Sequence, residues 1–313
     1  MKKSILHNRN GISLPELLVA VILVGMLLSS TFYVFSTFFA KSLTQERQTL
    51  SHADTQVGTQ FIKWDMFMAG YGIPSNVIPI TCSDNTGVNG SDVLTIQSVS
   101  FGMSGNTGKW SYILSPVSGS NQITVRRWNN PDNDLTKDDY IIILSPIGTQ
   151  IGFPVYQITD TTSAIGPAGQ DAWILTLNNV VYSSLNFVFK VSNAAGPAAV
   201  TYSIQNGNLA RDSTLFISDV VNFQVTFWID TDGDRQIDAG EMYNDLSTVI
   251  SNPSLLDNID LMRISIVTAT RGEQNYYYPQ DTIYVGNQSV NVENIGRNLK
   301  YQVWESTIKP RNL

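Results

Sequence analysis

From Leu17 to Ala40 the chain carries no charged residue, and a single carboxylate, Glu16, stands at the head of that run. An α-helix of this length spans the roughly 30 Å of hydrocarbon in a bilayer. In that medium backbone N–H and C=O groups must be satisfied within the segment, so a helix is the conformation open to it. An unpaired carboxylate beside a bilayer costs about 2–3 kcal/mol even on mild insertion scales, so it calls for a partner and a role. Ahead of it, Met1 to Gly11 form a short basic leader with Lys2, Lys3, His7 and Arg9. Basic residues stay on the cytoplasmic side, which predicts a single-pass topology with the N-terminus in and the C-terminal mass out.

Three kinds of N-terminus contain such a segment. A secretory signal needs small residues at a cleavage site after the apolar core, but Thr37-Phe38-Phe39-Ala40 places bulky Phe before Ala40. A lipoprotein signal needs a nearby Cys, and the one cysteine is Cys82. The third kind is cut before the apolar segment, at Gly11, and keeps its membrane helix. Here Gly11, Ile12 and Glu16, followed by an uncharged helix with Gly25, resemble the class III signal of type IV prepilins.

That resemblance implies cleavage between Gly11 and Ile12 by a prepilin peptidase, and N-methylation of Ile12. Glu16 would then neutralise the terminal amine of a neighbouring subunit, the pairing that a low-dielectric bundle demands. Pro15 stands where pilins usually carry an aliphatic residue, but a proline in the first helical turn loses no needed N–H. The competing role for Glu16 is an acid that complements the helix dipole.

Without Lys2, Lys3 and Arg9, the 19 Lys and Arg residues fall to 16 against 26 Asp and Glu, a side-chain charge of −10. Such a surface repels nucleic acid and anionic lipid, so no direct nucleic-acid partner is expected. One cysteine excludes an internal disulfide, and one histidine, His52, remains beyond the leader. No catalytic constellation is visible, so the chain reads as a non-enzyme with no organic cofactor.

Beyond Lys41 the helix is expected to continue to about Ala69, with Leu43, Leu50, Val57, Phe61, Trp64 and Met68 forming one face that lies on a sheet. It should end at Gly70-Tyr71-Gly72-Ile73-Pro74, where Gly can take the left-handed cap and Pro prevents resumption. Four segments follow: a leader at 1–11, a transmembrane or filament-core helix at 12–40, its amphipathic continuation at 41–72, and a β-rich globular domain at 73–313. Short β-branched or aromatic runs at 93–96, 111–114, 122–125, 140–144, 173–177 and 187–191 read as strands between turn formers. The stretch Asn85 to Gly108 reads as a surface excursion around one short strand. Asn206-Gly207 predicts a tight hairpin.

Asp65-Met66-Phe67-Met68-Ala69-Gly70-Tyr71-Gly72 resembles the helix exit of PilW-type minor pilins. Tyr202, Leu209 and Arg211 match a pattern of PilW-type and pseudopilin J-type proteins. The strand Ile259 to Thr270 and the ending Lys300 to Leu313 resemble the closing strands of PilW-type minor pilins. The resemblance implies an α+β, type IV pilin-like fold: a long N-terminal helix packed on an antiparallel β-sheet, with β-rich insertions. It implies a low-copy minor pilin that helps initiate the filament near its tip. Its partners would be other minor pilins, the major pilin, the prepilin peptidase and the inner-membrane assembly platform. The protein would sit in the inner membrane before assembly and in the surface pilus afterwards. The alternatives are a minor pseudopilin of type II secretion, or a membrane-tethered periplasmic binding or adhesin domain that does not polymerise.

The remaining constellation with site chemistry runs from Asp230 to Glu241. A calcium loop sets hard oxygens at alternate positions around a tight turn. Asp230, Asp232 and Asp234 fall at positions one, three and five, Gln236 would give a carbonyl, Asp238 sits at nine and Glu241 at twelve. Position six is Arg235, where Gly is usual. The expectation is a structural Ca²⁺ loop after a strand; the alternative is an acidic hairpin turn. Tyr276-Tyr277-Tyr278 reads as a strand end with alternate faces buried, and Asp132, Asp134, Asp138 and Asp139 as a solvated loop.

Overall fold

The computed structural model describes residues 13–310, apart from 75–76, 100, 102–107, 153–154, 195, 235, 239, 247–254, 256–257, 273–275 and 287. Gly11 and Ile12 therefore lie outside the described residues, as does Arg235.

One helix, α1 (Leu14–Met68), runs unbroken from the apolar segment into the β-domain. Pro15 sits in its first turn, and Gly70 and Gly72 take positive φ (80° and 68°) just past its end. The strands are β1 (Ile80–Ser83), β2 (Val93–Ser98), β3 (Trp110–Tyr112), β4 (Val117–Arg126), β5 (Tyr140–Leu144), β6 (Tyr156–Ile165), β7 (Asp171–Ser183) and β8 (Phe187–Val191). They continue with β9 (Ala198–Gln205), β10 (Asn208–Arg211), β11 (Thr214–Ile217), β12 (Val220–Ile229), β13 (Met242–Tyr243), β14 (Ile259–Arg271), β15 (Thr282–Val285), β16 (Gln288–Asn291) and β17 (Leu299–Ile308).

Their pairing is antiparallel throughout. One sheet has the order β1-β2-β9-β10-β11, and a second the order β13-β12-β14-β17. Ile62 and Met66 of α1, with Ala69 just past its end, join residues from both sheets, among them Leu94, Ile96, Phe223, Phe227 and Ile264, in the principal core. The chain is thus α+β, one long apolar helix packed with antiparallel sheets. Asn206 and Gly207 (φ 51° and 75°) make the tight turn between β9 and β10.

Between the paired strands β2 and β9, the chain inserts a third sheet, β3-β8-β5-β6-β7-β4. The bridge between Ile113 and Val125, with Leu114 N donating to Thr124 O at 2.8 Å, joins its two edges into a small barrel. Ile123, Ile141, Ile143, Tyr156, Leu175 and Val188 fill its own core. The β15–β16 hairpin packs on the outer face of the second sheet through Ile283 and Val285 against Val267 and Ala269.

Several expectations are corrected. The helix does not bury the face of Leu43, Leu50, Val57, Phe61, Trp64 and Met68. Its buried residues are Ser51, Thr55, Gly58, Ile62, Asp65 and Met66: Ile62 and Met66 enter the core, and Gly58 lets Ile217 approach closely. Leu43, Leu50, Val57 and Trp64 remain 43, 58, 57 and 54 % exposed. The strand within Asn85–Gly108 is not peripheral: β2 lies between β1 and β9, with Leu94 and Ile96 in the core. Tyr276 to Tyr278 lie in a loop, each ring held separately: Tyr276 under Lys300, Tyr277 under Arg297, and Tyr278 edge-on to Tyr301. Asp134 and Asp139 are buried, Asp134 accepting Trp128 N–H and Asp139 paired with Lys190 at 2.7 Å.

Candidate functional site

Glu16 lies in the first turn of α1, exposed, and accepts hydrogen bonds from Ser13 N (3.1 Å) and Ser13 Oγ (3.0 Å). A free helix N-terminus leaves its first N–H groups without intrahelical acceptors, and this carboxylate serves one of them. The apolar part of α1 is long and hydrophobic enough to cross a membrane, and none of it is buried by the rest of the chain. Its hydroxyls turn inward: Ser29 donates to Gly25 O, Thr31 to Leu27 O and Thr37 to Tyr33 O, each at 2.8 Å. Satisfied this way, they add little polarity to the helix surface. The exposed row Leu43, Leu50, Val57 and Trp64 extends the apolar surface along the helix at seven-residue intervals, the spacing of one seam position in a coiled coil.

Near its other end the helix is anchored to the first sheet. Asp65 is buried, and its Oδ2 accepts Tyr202 Oη–H at 2.6 Å and Arg211 Nε–H at 2.8 Å. Tyr202 and Arg211 are cross-strand partners on β9 and β10, which places both on one face. Burial, with the Asp65 charge beside it, pushes the Tyr202 phenol well above its ordinary value. Arg211 also lies over the Phe101 ring. The tyrosine and arginine were visible in the sequence as a pattern, but their carboxylate partner was not. A polar residue at a buried helical spacing, Asp65 between Ile62 and Met66, is the signal that could have found it.

In the acidic loop, Asp230, Asp232 and Asp234 each bring a carboxylate oxygen within 4.8 Å of the others. Main-chain N–H groups help to hold them there: Gly233 donates to Asp230 (2.7 Å), Asp234 to Asp232 (3.1 Å) and Gln236 to Asp234 (2.7 Å). Gly233, with φ 81°, makes the turn. Glu241 bonds to the loop itself: its Oε1 accepts Thr231 N–H and Oγ–H (2.6 and 2.8 Å), and its Oε2 accepts Asp238 N–H (2.9 Å). These bonds, that from Asp238 foremost, hold its carboxyl below the ordinary value. Three hard oxygens suit a divalent cation such as Ca²⁺, while Glu241 closes the loop by bonding its backbone.

Residues 187–312 match the family described as Type IV Pilus-assembly protein W (PilW). The matched part begins at β8 and includes β9 to β17, and so the hairpin that holds Asp65 and the whole second sheet; α1 and most of the barrel precede it. No curated protein and no solved structure matches the chain. The PilW family acts in type IV pilus assembly and is not a known enzyme family. A helix able to span a membrane thus precedes a β-domain that is similar to the PilW family over residues 187–312, which supports a PilW-type type IV pilus protein.

Proposed function

We propose that this protein is a minor pilin, inserted in low copy into a type IV filament that it helps to initiate near the tip. The observation that carries this reading is the two-sided helix. One side of its second half is fastened to the β-domain through Ile62, Asp65 and Met66, while the row Leu43, Leu50, Val57 and Trp64 and the uncharged first half stay open. A surface of that extent in water favours burial against other apolar helices. On this reading the fold is pilin-like, with a leader at 1–11, a membrane and filament-core helix at 12–40, its continuation at 41–72 and the head at 73–313. A prepilin peptidase cleaves after Gly11, Ile12 is N-methylated, and Glu16 pairs with a neighbouring subunit's terminal amine. The protein waits in the inner membrane, head outward, for other minor pilins, the major pilin and the assembly platform. The loop of Asp230, Asp232 and Asp234 holds a structural Ca²⁺.

The test is deletion in the native host, scoring sheared pili and secreted protein, with complementation by wild type and by Glu16→Ala. Loss of pili with normal secretion, restored by wild type and not by Glu16→Ala, supports the minor-pilin reading. Normal pili with lost secretion would move the protein to a type II secretion pseudofilament. No change in either would leave a tethered, non-polymerising domain.

A further inference from the structure

Strand β17 ends the second sheet, whose order is β13-β12-β14-β17. It pairs with β14 over its full length, from Leu299 opposite Arg271 to Ile308 opposite Met262, without a register shift. In an antiparallel pair, alternate residues of an edge strand turn their N–H and C=O away from the partner. Among the described residues, the main chain from Gln302 to Ile308 bonds to β14 and to no other element.

Proteins blunt such edges with shortness, bulges, prolines or projecting charges. β17 has ten residues, no bulge and no proline. Of its two charged residues, Lys300 lies over the Tyr276 ring, and Glu305, though exposed, accepts a hydrogen bond from Ser265 Oγ on β14 at 3.1 Å. Among the described residues, the edges of the three larger sheets other than β17 are short, joined or covered. β13 has two residues and β1 four, the barrel joins its own edges, and β11 lies against α1 at Gly58 and Ile217.

A groove of about 420 Å³ runs between β17 and α1, lined by Gln56, Val57, Gln60, Lys63, Trp304 and Ser306 among others. Val57 belongs both to this groove and to the open row on the helix, so a body seated along that row also reaches the edge of β17. Its floor offers amides, an ammonium and a hydroxyl beside two apolar side chains, a mixture suited to the alternating side chains of an extended strand.

We propose that β17 is a docking strand, and that an extended segment of a neighbouring filament subunit pairs with its open edge and continues the sheet. Main-chain pairing supplies the affinity of such an addition, and the flanking groove the selectivity. The proposal rests on incorporation into a filament.

The test is amide hydrogen exchange of the full-length protein, read by mass spectrometry on peptides covering 299–310, in detergent micelles and in isolated filaments that contain the chain. Pairing slows part of the amide exchange between Gln302 and Ile308 by tenfold or more in the filament. Equal rates in both states, with the chain demonstrably in the filament, overturn the docking strand and leave the minor-pilin reading intact. Absence of the chain from filaments overturns both.

Discussion

Asp65 and Arg211, 146 positions apart, meet at 2.8 Å and tie the last turns of α1 to the β9–β10 hairpin. The carboxylate is almost wholly enclosed, the guanidinium mostly so. Removing one member of a buried pair strands the other's charge, a loss of about 3–5 kcal/mol. Asp65→Ala is therefore expected to lower the unfolding free energy of the detergent-solubilised protein, read from urea titration, by that order. Replacing both charges, with Asp65→Leu and Arg211→Met, should recover much of the loss. A double variant no more stable than Asp65→Ala would show that the stranded charge is not what destabilises the single variant.

Two glycines in the same helix should behave oppositely. A Cβ at Gly58 would fall 2.3 Å from Ile217 Cγ1, whereas at Gly25 it would meet nothing within 4 Å. Overpacking of that kind costs about 1–3 kcal/mol, so Gly58→Ala should lower Tm. Gly25→Ala leaves the isolated subunit unchanged or slightly more stable, because alanine is the better helix former by about 1 kcal/mol. An assembly defect in Gly25→Ala would then report on packing between subunits.

Asp92 is fully buried where the two main sheets meet, its Oδ2 accepting Val225 N–H at 2.7 Å and its Oδ1 Asn85 N–H at 3.0 Å. Burial pushes its carboxyl up to about 7 from an ordinary 3.8, with the two backbone bonds opposing the shift and Asp84 adding to it. Between those values the folded chain holds more protons than the unfolded one. The stabilisation is complete below the lower value and is lost as pH rises through the upper. Subtracting the Tm profile of Asp92→Asn from that of the wild type should leave a component that falls between about pH 4 and 7.5. A flat difference would mean that Asp92 titrates normally.

For the acidic loop, Asp232→Ala should lower Tm in millimolar Ca²⁺ and leave it unchanged in chelator, because bound metal stabilises only the state that holds it. An equal loss in both would assign Asp232 to the hydrogen bond it accepts from Asp234 N–H.

The membrane-length helix, the strands at 93–96, 122–125, 140–144, 173–177 and 187–191, and the Asn206-Gly207 turn were legible because each rests on a local property: an uncharged run, a β-branched run, or a dipeptide suited to positive φ. β6 escaped notice because Gln157 to Ala164 are mostly polar and the strand lies in the barrel wall, half exposed. The convergence of Asp230, Asp232 and Asp234 followed from their alternate spacing, whereas the hydrogen bonds of Glu241 depended on the backbone donors of Thr231 and Asp238.

The buried face of α1 shows where local reading ends. Hydrophobic periodicity selects the row of Leu43, Leu50, Val57 and Trp64, and that row is apolar. The face that packs on the sheets is a different one, formed by Ser51, Thr55, Gly58, Ile62, Asp65 and Met66. Close approach to β11 required Gly58, and the enclosed Asp65 required Tyr202 and Arg211 from a distant hairpin. The sequence alone determined that a helix with one carboxylate at its head leads a β-rich domain, because charge, length and turn chemistry act over a few residues. Which side of that helix is enclosed, and which sheet edge stays open, was decided by tertiary structure, because both depend on partners far away in the chain.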